Sequence, residues 1–596
     1  MQRSQIFQRW FHTYEKSPLT IHILTAIALS FLGGLAFLWR LGSVGLVDET
    51  EPMFAEAARQ MLVTGDWITP YYNDVTRFDK PPLVYWLMAI AYKVVGTNAW
   101  GARLPSALAA IALMVMIFMV LRTYGFSTAA ATEQPDQPKT QQKLWLAALL
   151  GSALIALNLQ TIVWARTGVS DMLLNACIGS SLVCFFWGYG SGGRPLNRWL
   201  PNPWYLAAYA SLGLAVLAKG PVGLVLPGLT IMVFLIYLGR FWSVFLEAKP
   251  WIGALVFAGI TLPWYVLVIL RNGQAYLDTF FGYHNYERFT GVVNGHAAPV
   301  YFYIPVVLIG FIPWSLYLPA AIARLKLHKI SEWRDQPRSA HLGIFATAWF
   351  ATVFGFFTIA VTKLPSYTIP LLPAGSILVA LLWSQMILEP QQKSHFFWWS
   401  GAVNVAFLGF LAGFLIYSPQ VIGFDPAAPN LDSSFRNSVL PILGASIWAI
   451  AMLTAGISLF RSRLGLLLSN ICAMVLFVAL VLLPMGTLLD QNRQIGLRAI
   501  AATITEMRHS DEKVVMIGFE KPSLVFYAGV HVDFFEETEE AITFIDNNYP
   551  QDQETKIFLI ARDKYLKKLP FDLQNNDIIQ ENIPYKLLYL SYDKFQ

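Results

Sequence analysis

The sequence predicts a mainly α-helical, polytopic membrane protein of about 13 transmembrane helices, followed by a small C-terminal α/β domain. Three observations carry this. First, 56% of the 596 residues are apolar and 13% are charged, with a mean hydropathy of +0.49. Soluble chains carry about 25% charged residues, and half that charge cannot cover a soluble surface of this size. Second, the apolar residues fall in runs of about 20, the length that crosses a hydrocarbon core of ~30 Å. Third, charge is unevenly divided: residues 487–596 hold 12 Lys+Arg and 18 Asp+Glu, whereas residues 1–486 hold 30 and 19. Disordered, collagen-like and nucleic-acid-binding chains are excluded by the same figures, because each needs high charge or a biased repeat.

In chain order, the apolar run 17–39 is too long for a signal-peptide core and reads as a retained first span, near 20–40. Further spans are expected near 104–122, 144–160, 170–188, 204–218, 221–238, 251–270, 301–322, 341–361, 367–388, 397–417, 438–459 and 465–486. The segment 81–96 is apolar but shorter, and reads as an interfacial or re-entrant helix. Residues 128–143, TAAATEQPDQPKTQQK, read as a polar, flexible linker. A boundary near 486–492 separates a membrane domain, 1–486, from a C-terminal domain, 487–596. In the latter, 495–509 has helical periodicity, and 513–519, 530–535, 556–562 and 585–590 read as strands. That domain carries no catalytic constellation; its candidate roles are acceptor or glycan binding and, more simply, a structural lid. Cys177, Cys184 and Cys472 all fall in apolar runs and read as membrane-buried hydrophobes, not as disulfides or metal ligands.

The basic residues orient the spans. With a cytoplasmic N-terminus, the inside segments carry 18 Lys and Arg, and the short outside loops carry only Arg166, Lys219, Lys363 and Arg436. An odd number of spans then places the C-terminal domain outside, together with the first loop, 41–103, and the segment 271–300.

The charges on that outer side are few, and six clusters hold them. VDETEPMFAEAARQMLVTGDWITP (47–70) contains Asp48 and Glu49 just after the first span. Asp48 or Thr50 could cap a short helix there, or Asp48 could be a carboxylate at a membrane-level cavity, able to take a proton. TRFDKPPLVYW (76–86) sets Asp79 and Lys80 before two prolines that fix the backbone; Lys80 is a candidate phosphate ligand or one half of a surface ion pair. WARTGVSDMLL (164–174) supplies Arg166 and Asp171, and LAKGPVG (217–223) puts Lys219 in a tight hairpin. GYHNYERFTGVVNGHAAP (282–299) contains His284, Arg288 and His296, and VTKLPSYTIP (361–370) contains Lys363 and Tyr367. A lone Lys or Arg at a span end can simply snorkel, and Lys363 fits that description best. Together, however, Lys80, Arg166, Lys219, Arg288 and Lys363 converge on one face and point to an anionic ligand. Soluble nucleotides are not available there, so the anion is a membrane-borne phosphate. Consistently, the sequence has no Walker P-loop, no dinucleotide fingerprint, no HExxH and no GxSxG.

The ordered motifs DE…FAEAARQML, GDWITP, DKPPLVYWL, ARLPSA, ARTGVSD, LAKGP, FIPWSLYLP and KLPSYTIPLLPA resemble those of the GT-C membrane glycosyltransferases. They are most similar to the aminoarabinose transferases acting on lipid A, within the protein O-mannosyltransferase-like superfamily. The resemblance runs in detail from about residue 17 to about residue 390. It implies a GT-C fold in a bacterial inner membrane and an outer C-terminal α/β domain. It also implies transfer of a sugar, with inversion, from a polyprenyl-phosphate donor to a glycolipid, glycan or protein acceptor.

By position in those motifs, the resemblance implies Asp48, with Glu49 beside it, and Asp171 as catalytic acidic residues. Lys80, Lys219, Arg288 and Tyr367 would surround the donor phosphate, with His296 on the neighbouring loop; Arg166 and Lys363 join this set through their place on the same face, not through the resemblance. Asp79 and His284 stand where the lipid A group binds a divalent metal, with Asp79 in place of the usual Glu, one methylene longer; the chemistry itself requires no cofactor. Asp48 would deprotonate or orient the acceptor while the lysines stabilise the departing phosphate. The other reading of the same phosphate-binding face is a non-catalytic polyprenyl-phosphate transporter, which would call for inverted repeats and mid-membrane polar sites.

Overall fold

The computed structural model describes residues 18–125, 138–287, 298–389, 395–509, 512–548 and 556–595. Among them, nine helices are long and apolar enough to cross a membrane, or eleven if each of two bent pairs is one span. The helices Ser170–Gly190 and Pro365–Leu388 form the buried centre of the bundle, and Leu19–Leu38 and Pro250–Tyr283 are largely exposed at its periphery. The thirteen expected spans coincide in position with the nine helices, the two bent pairs, and the helices Pro203–Lys219 and Val222–Leu238. The last two have only 17 residues each, so by length the structure does not reach thirteen.

Both breaks have local causes. Gln141–Ala156 and Leu159–Ala165 meet at 61° around Asn158. The Asn158 amide donates to the carbonyls of Leu154 and Ile155 (2.9 and 3.1 Å), and its side-chain oxygen accepts from the Thr161 N–H (2.8 Å). One side chain thereby closes one helix and opens the next. Val300–Gly310 and Trp314–Ala323 meet at 110°. Pro313 lies in this break and has no N–H to continue a helix, so the expected straight span at 301–322 is a sharp bend. The Trp314 indole donates to the Leu157 carbonyl (3.4 Å), which packs the two breaks against each other.

Two further expectations change. The described part of the expected flexible linker, from Pro138 onward, is helical. Lys143 is buried there and pairs with Glu389 (2.8 Å), and the half-buried Gln141 accepts from Arg122 (2.7 Å). Of the three free cysteines, Cys184 is buried, Cys177 is half-buried and Cys472 faces outward. The segment expected as interfacial is the helix Leu83–Val95, whose Val84, Tyr85 and Met88 are buried.

A short antiparallel hairpin, β1 (Tyr71–Tyr72) and β2 (Val75–Thr76), projects from the first loop. Its turn residues Asn73 and Asp74 both have positive φ (51° and 63°), a conformation these two side chains tolerate well. The helix Arg463–Arg493 runs through the expected domain boundary and leads to the helix Ile495–Met507.

The C-terminal sheet contains β3 (Lys513–Ile517), β4 (Asp533–Phe535), β5 (Lys556–Ala561), β6 (Ile578–Asn582) and β7 (Tyr585–Ser591), in the order β4-β3-β5-β7-β6. The pairs β3–β4 and β3–β5 are parallel, and the other two are antiparallel. Strand alternation divides its core. Val514 and Met516 pack with Leu497, Ile500 and Ile504 on one face, and Val515 and Ile517 pack with Ala541 and Ile545 on the other. Strand β6 escaped the sequence reading because it is a bulged edge strand, half-exposed and polar in sequence.

Candidate active site

The first loop is built on one carboxylate. Glu51, in the first turn of the helix Thr50–Thr64, is fully buried and bound bidentately by Arg103 (2.7 and 2.7 Å). Glu51 also accepts the N–H groups of Val47 (2.8 Å) and Gly168 (2.6 Å). Arg103 spends its remaining donors on the carbonyls of Leu41, Val44 and Gly45. The segment carrying Asp48 and the turn leading to Asp171 are thus fixed by a single ion pair. The sequence reading placed Arg103 only within a motif; its one signal is a lone arginine one turn into a long apolar helix.

Beside this frame lies a cavity of about 390 Å³. Asp79, Lys80, Asp171, Lys219 and Tyr367 line it, with Thr362 and Ser366. Its walls include Val222, Val225, Phe280, Phe356 and Phe357. Lys219, the last residue of the helix Pro203–Lys219, pairs with Asp171 at the start of the helix Ser170–Gly190 (2.7 Å). The Lys219 ammonium also lies 5.8 Å from the centre of the Tyr367 ring, which stacks on Phe357 at 4.7 Å. Asp79 is held by Arg77 (2.7 Å) and by the Tyr85 hydroxyl (3.0 Å), and Lys80 donates to the Asp79 carbonyl (2.7 Å). Two cations therefore face a space with substantial apolar walls, a match for a phosphate attached to a lipid chain.

Asp48 does not line this cavity. Its carboxylate accepts the Ser523 N–H (2.8 Å), the Ser523 hydroxyl (2.7 Å) and the Gln494 amide (3.1 Å). It caps no helix: the helix Thr50–Thr64 starts at Glu49 without a side-chain cap. Burial pushes the Asp48 carboxyl above the usual carboxylate range, although the Ser523 bonds, Lys521 and Gln494 pull the other way. Tyr72 links the two regions electrostatically, since it feels both Asp48 and Arg77, the partner of Asp79. Glu49 is exposed and raises the pKa of Glu520 in the C-terminal domain, behind burial as the main cause.

Two expected ligands stand elsewhere. Arg166 donates to the carbonyls of Ala36 and Arg40 (3.4 and 3.1 Å), tying its turn to the end of the first span. Lys363 is buried, with its ammonium on the carbonyls of Thr358 and Ala360 (2.8 and 2.7 Å). Neither lines the cavity. Arg288 and His296 lie outside the described residues, as does the side chain of His284. Both oxygens of Asp79 are engaged, and among the described residues no three His, Cys, Asp or Glu gather as metal ligands. The described residues around Asp79 do not by themselves fit a metal.

Comparison with known proteins adds the rest. Two family models described as dolichyl-phosphate-mannose-protein mannosyltransferase match residues 79–133 and 139–272. A third, described as the C-terminal domain of cyanobacterial RgtA-type glycosyltransferases, matches residues 507–596. The crystal structure of ArnT from Cupriavidus metallidurans bound to undecaprenyl phosphate superposes with a TM-score of 0.74 at 21% identity, over 95% of this chain and 97% of that one. The undecaprenyl phosphate-alpha-4-amino-4-deoxy-L-arabinose arabinosyl transferase 2 of Proteus mirabilis is 27% identical over 426 residues, 71% of this chain and 70% of that protein. An uncharacterised protein of Aquifex aeolicus is 31% identical over 341 residues, 57% of this chain and 68% of that one. The chain belongs to the GT-C membrane glycosyltransferases, among the aminoarabinose transferase-like proteins. This GT-C glycosyltransferase is accordingly a multi-pass membrane enzyme.

Proposed function

We propose that this glycosyltransferase moves a sugar from a polyprenyl-phosphate carrier to an acceptor on the outer face of a bacterial inner membrane, inverting the anomeric carbon. The acceptor is a lipid A-like glycolipid, an envelope glycan or a protein. The observation that carries the reading is the cavity itself, with Lys80 and Lys219 beside Asp171 and Tyr367 and with apolar residues in its walls. The lysines hold the donor phosphate, and the apolar walls accept the first part of its lipid chain. An acceptor oxygen attacks the anomeric carbon from the side opposite the phosphate, and the carbon–oxygen bond to the phosphate breaks. The polyprenyl phosphate leaves with the bonding electrons, and Lys80 and Lys219 stabilise the charge that builds on it. A hydroxyl acceptor gives its proton to Asp48; an acceptor that is already an anionic phosphate needs Asp48 only to orient it. No cofactor enters.

Orientation follows from the loops. Lys143 and Arg463, on two segments read as cytoplasmic, meet Glu389 and the Met386 carbonyl around a third, which supports one shared side for them. In this reading the excess of basic residues on these segments makes their side, and with it the N-terminus, cytoplasmic, and the first loop and C-terminal domain lie on the opposite side.

The test is transfer of radiolabelled sugar from an undecaprenyl-phosphate donor in membranes. With Asp48→Asn, transfer to a hydroxyl acceptor is expected to fall by about 10²–10⁴-fold, the span of a general base. Wild-type transfer by a folded Asp48→Asn protein would remove Asp48 from the mechanism.

A further inference from the structure

We infer that the C-terminal domain is a working part of the catalytic centre, with Ser523 and Gln494 as positioning residues that hold Asp48. This rests on the role proposed above for Asp48. The sequence reading made the domain a lid, but the hydrogen bonds run otherwise. Among the described residues, every hydrogen bond to the Asp48 carboxylate comes from beyond residue 490. Ser523 supplies two, its N–H to Oδ1 and its hydroxyl to Oδ2, and Gln494 supplies the third, to Oδ2. Both oxygens are thereby fixed in direction. Gln494 is itself buried, so its amide has little freedom to turn away.

The domain that brings these donors is clamped to the first loop at several independent points. Asn73, at the tip of the β1–β2 hairpin, exchanges two hydrogen bonds with the Val532 backbone (2.8 and 3.0 Å). The Leu46 N–H donates to the Tyr527 hydroxyl (2.8 Å), and the Gly45 N–H donates to Asp490 (2.7 Å), which also binds Arg498 (2.5 Å). A Cβ on Gly45 would stand 2.8 Å from Asp490 Oδ1 and would push that carboxylate aside. His531 reaches Asp74 (3.1 Å). Such anchoring is far more than a loose cover needs. It suits a carboxylate whose direction matters to the ångström, because catalytic groups lose rate steeply when misplaced.

The groups facing Asp48 set how its proton affinity responds. Lys521 and the three hydrogen bonds favour the anion, burial opposes it, and Tyr72, Tyr585 and the adjoining Glu49 complete the surroundings. Removing one of the Ser523 or Gln494 bonds therefore raises the pKa of Asp48. A base must be deprotonated to act, so the acid limb of the pH–rate profile must move to higher pH.

The experiment compares Ser523→Ala, Ser523→Thr and Gln494→Met with wild type and Asp48→Asn in the full-length protein, in membranes, using an undecaprenyl-phosphate sugar donor and a hydroxyl acceptor. Ser523→Ala and Gln494→Met should each lower kcat by about 10-fold or more with donor KM unchanged, and shift the acid limb upward by about one pH unit. Ser523→Thr, which keeps the hydroxyl, should restore both. Unchanged kcat and acid limb in a folded Ser523→Ala or Gln494→Met, beside an inactive Asp48→Asn, would overturn this inference and leave the transfer reading intact. A lowered kcat with an unmoved acid limb would also overturn it, as a purely structural effect. An active Asp48→Asn would overturn the reading beneath it.

Discussion

Two ion pairs lie in the same part of the molecule and do opposite things. Glu51–Arg103 is closed: both side chains are almost wholly buried, and every oxygen of Glu51 and every nitrogen of Arg103 has a partner. Asp171–Lys219 is open: the pair joins at one contact of 2.7 Å, keeps 14% and 17% of its side-chain surface, and lines the cavity. A charge whose donors are all spent inside the protein is part of the frame. A charge that faces a cavity can still bind something. Residue type and sidedness do not separate these cases, and Arg166 and Lys363 show the error that results. Both are cations in the expected clusters, yet both are consumed by backbone carbonyls.

The comparison can be broken at either pair. Arg103→Ala leaves Glu51 buried and uncompensated, which should cost about 3–5 kcal/mol of stability. Thermal unfolding in detergent and the yield of folded protein would read it, and wild-type stability would show that the closed pair is no frame. Lys219→Ala should leave the melting temperature near that of wild type but remove a charge-assisted phosphate contact of about 1.5–3 kcal/mol. Donor affinity would fall by roughly 10–100-fold, and an unchanged affinity would take the phosphate away from this cavity. Asn158→Ala removes the side chain that caps both halves of a bent helix and should cost about 1–2 kcal/mol, again read by thermal unfolding. Arg271→Ala is the control: its pair with Asp66 at 3.0 Å leaves the arginine half-exposed, and its loss should change stability by no more than about 1 kcal/mol.

Much of the fold was legible because the bilayer imposes a simple rule on length and polarity, and each expected span has a helix or bent pair at its place. Bending was not legible: Asn158 and Pro313 look like ordinary interruptions until their partners are known. In the site, Lys80, Asp171, Lys219 and Tyr367 stood out because polar groups are rare among apolar runs. Ser523 and Gln494 did not. They sit in a domain where such residues are common, and their meaning comes from a partner 475 and 446 positions earlier in the chain.

That separation has a consequence for how the protein is made. The ribosome delivers Asp48 long before Ser523, with eight of the nine long membrane helices among the described residues in between. A nascent chain can hold every cavity-lining residue, the last of them Pro370, while the carboxylate still waits for its partners to be made. A chain ending before residue 494 would hold every residue that lines the cavity and none of the three donors that fix Asp48.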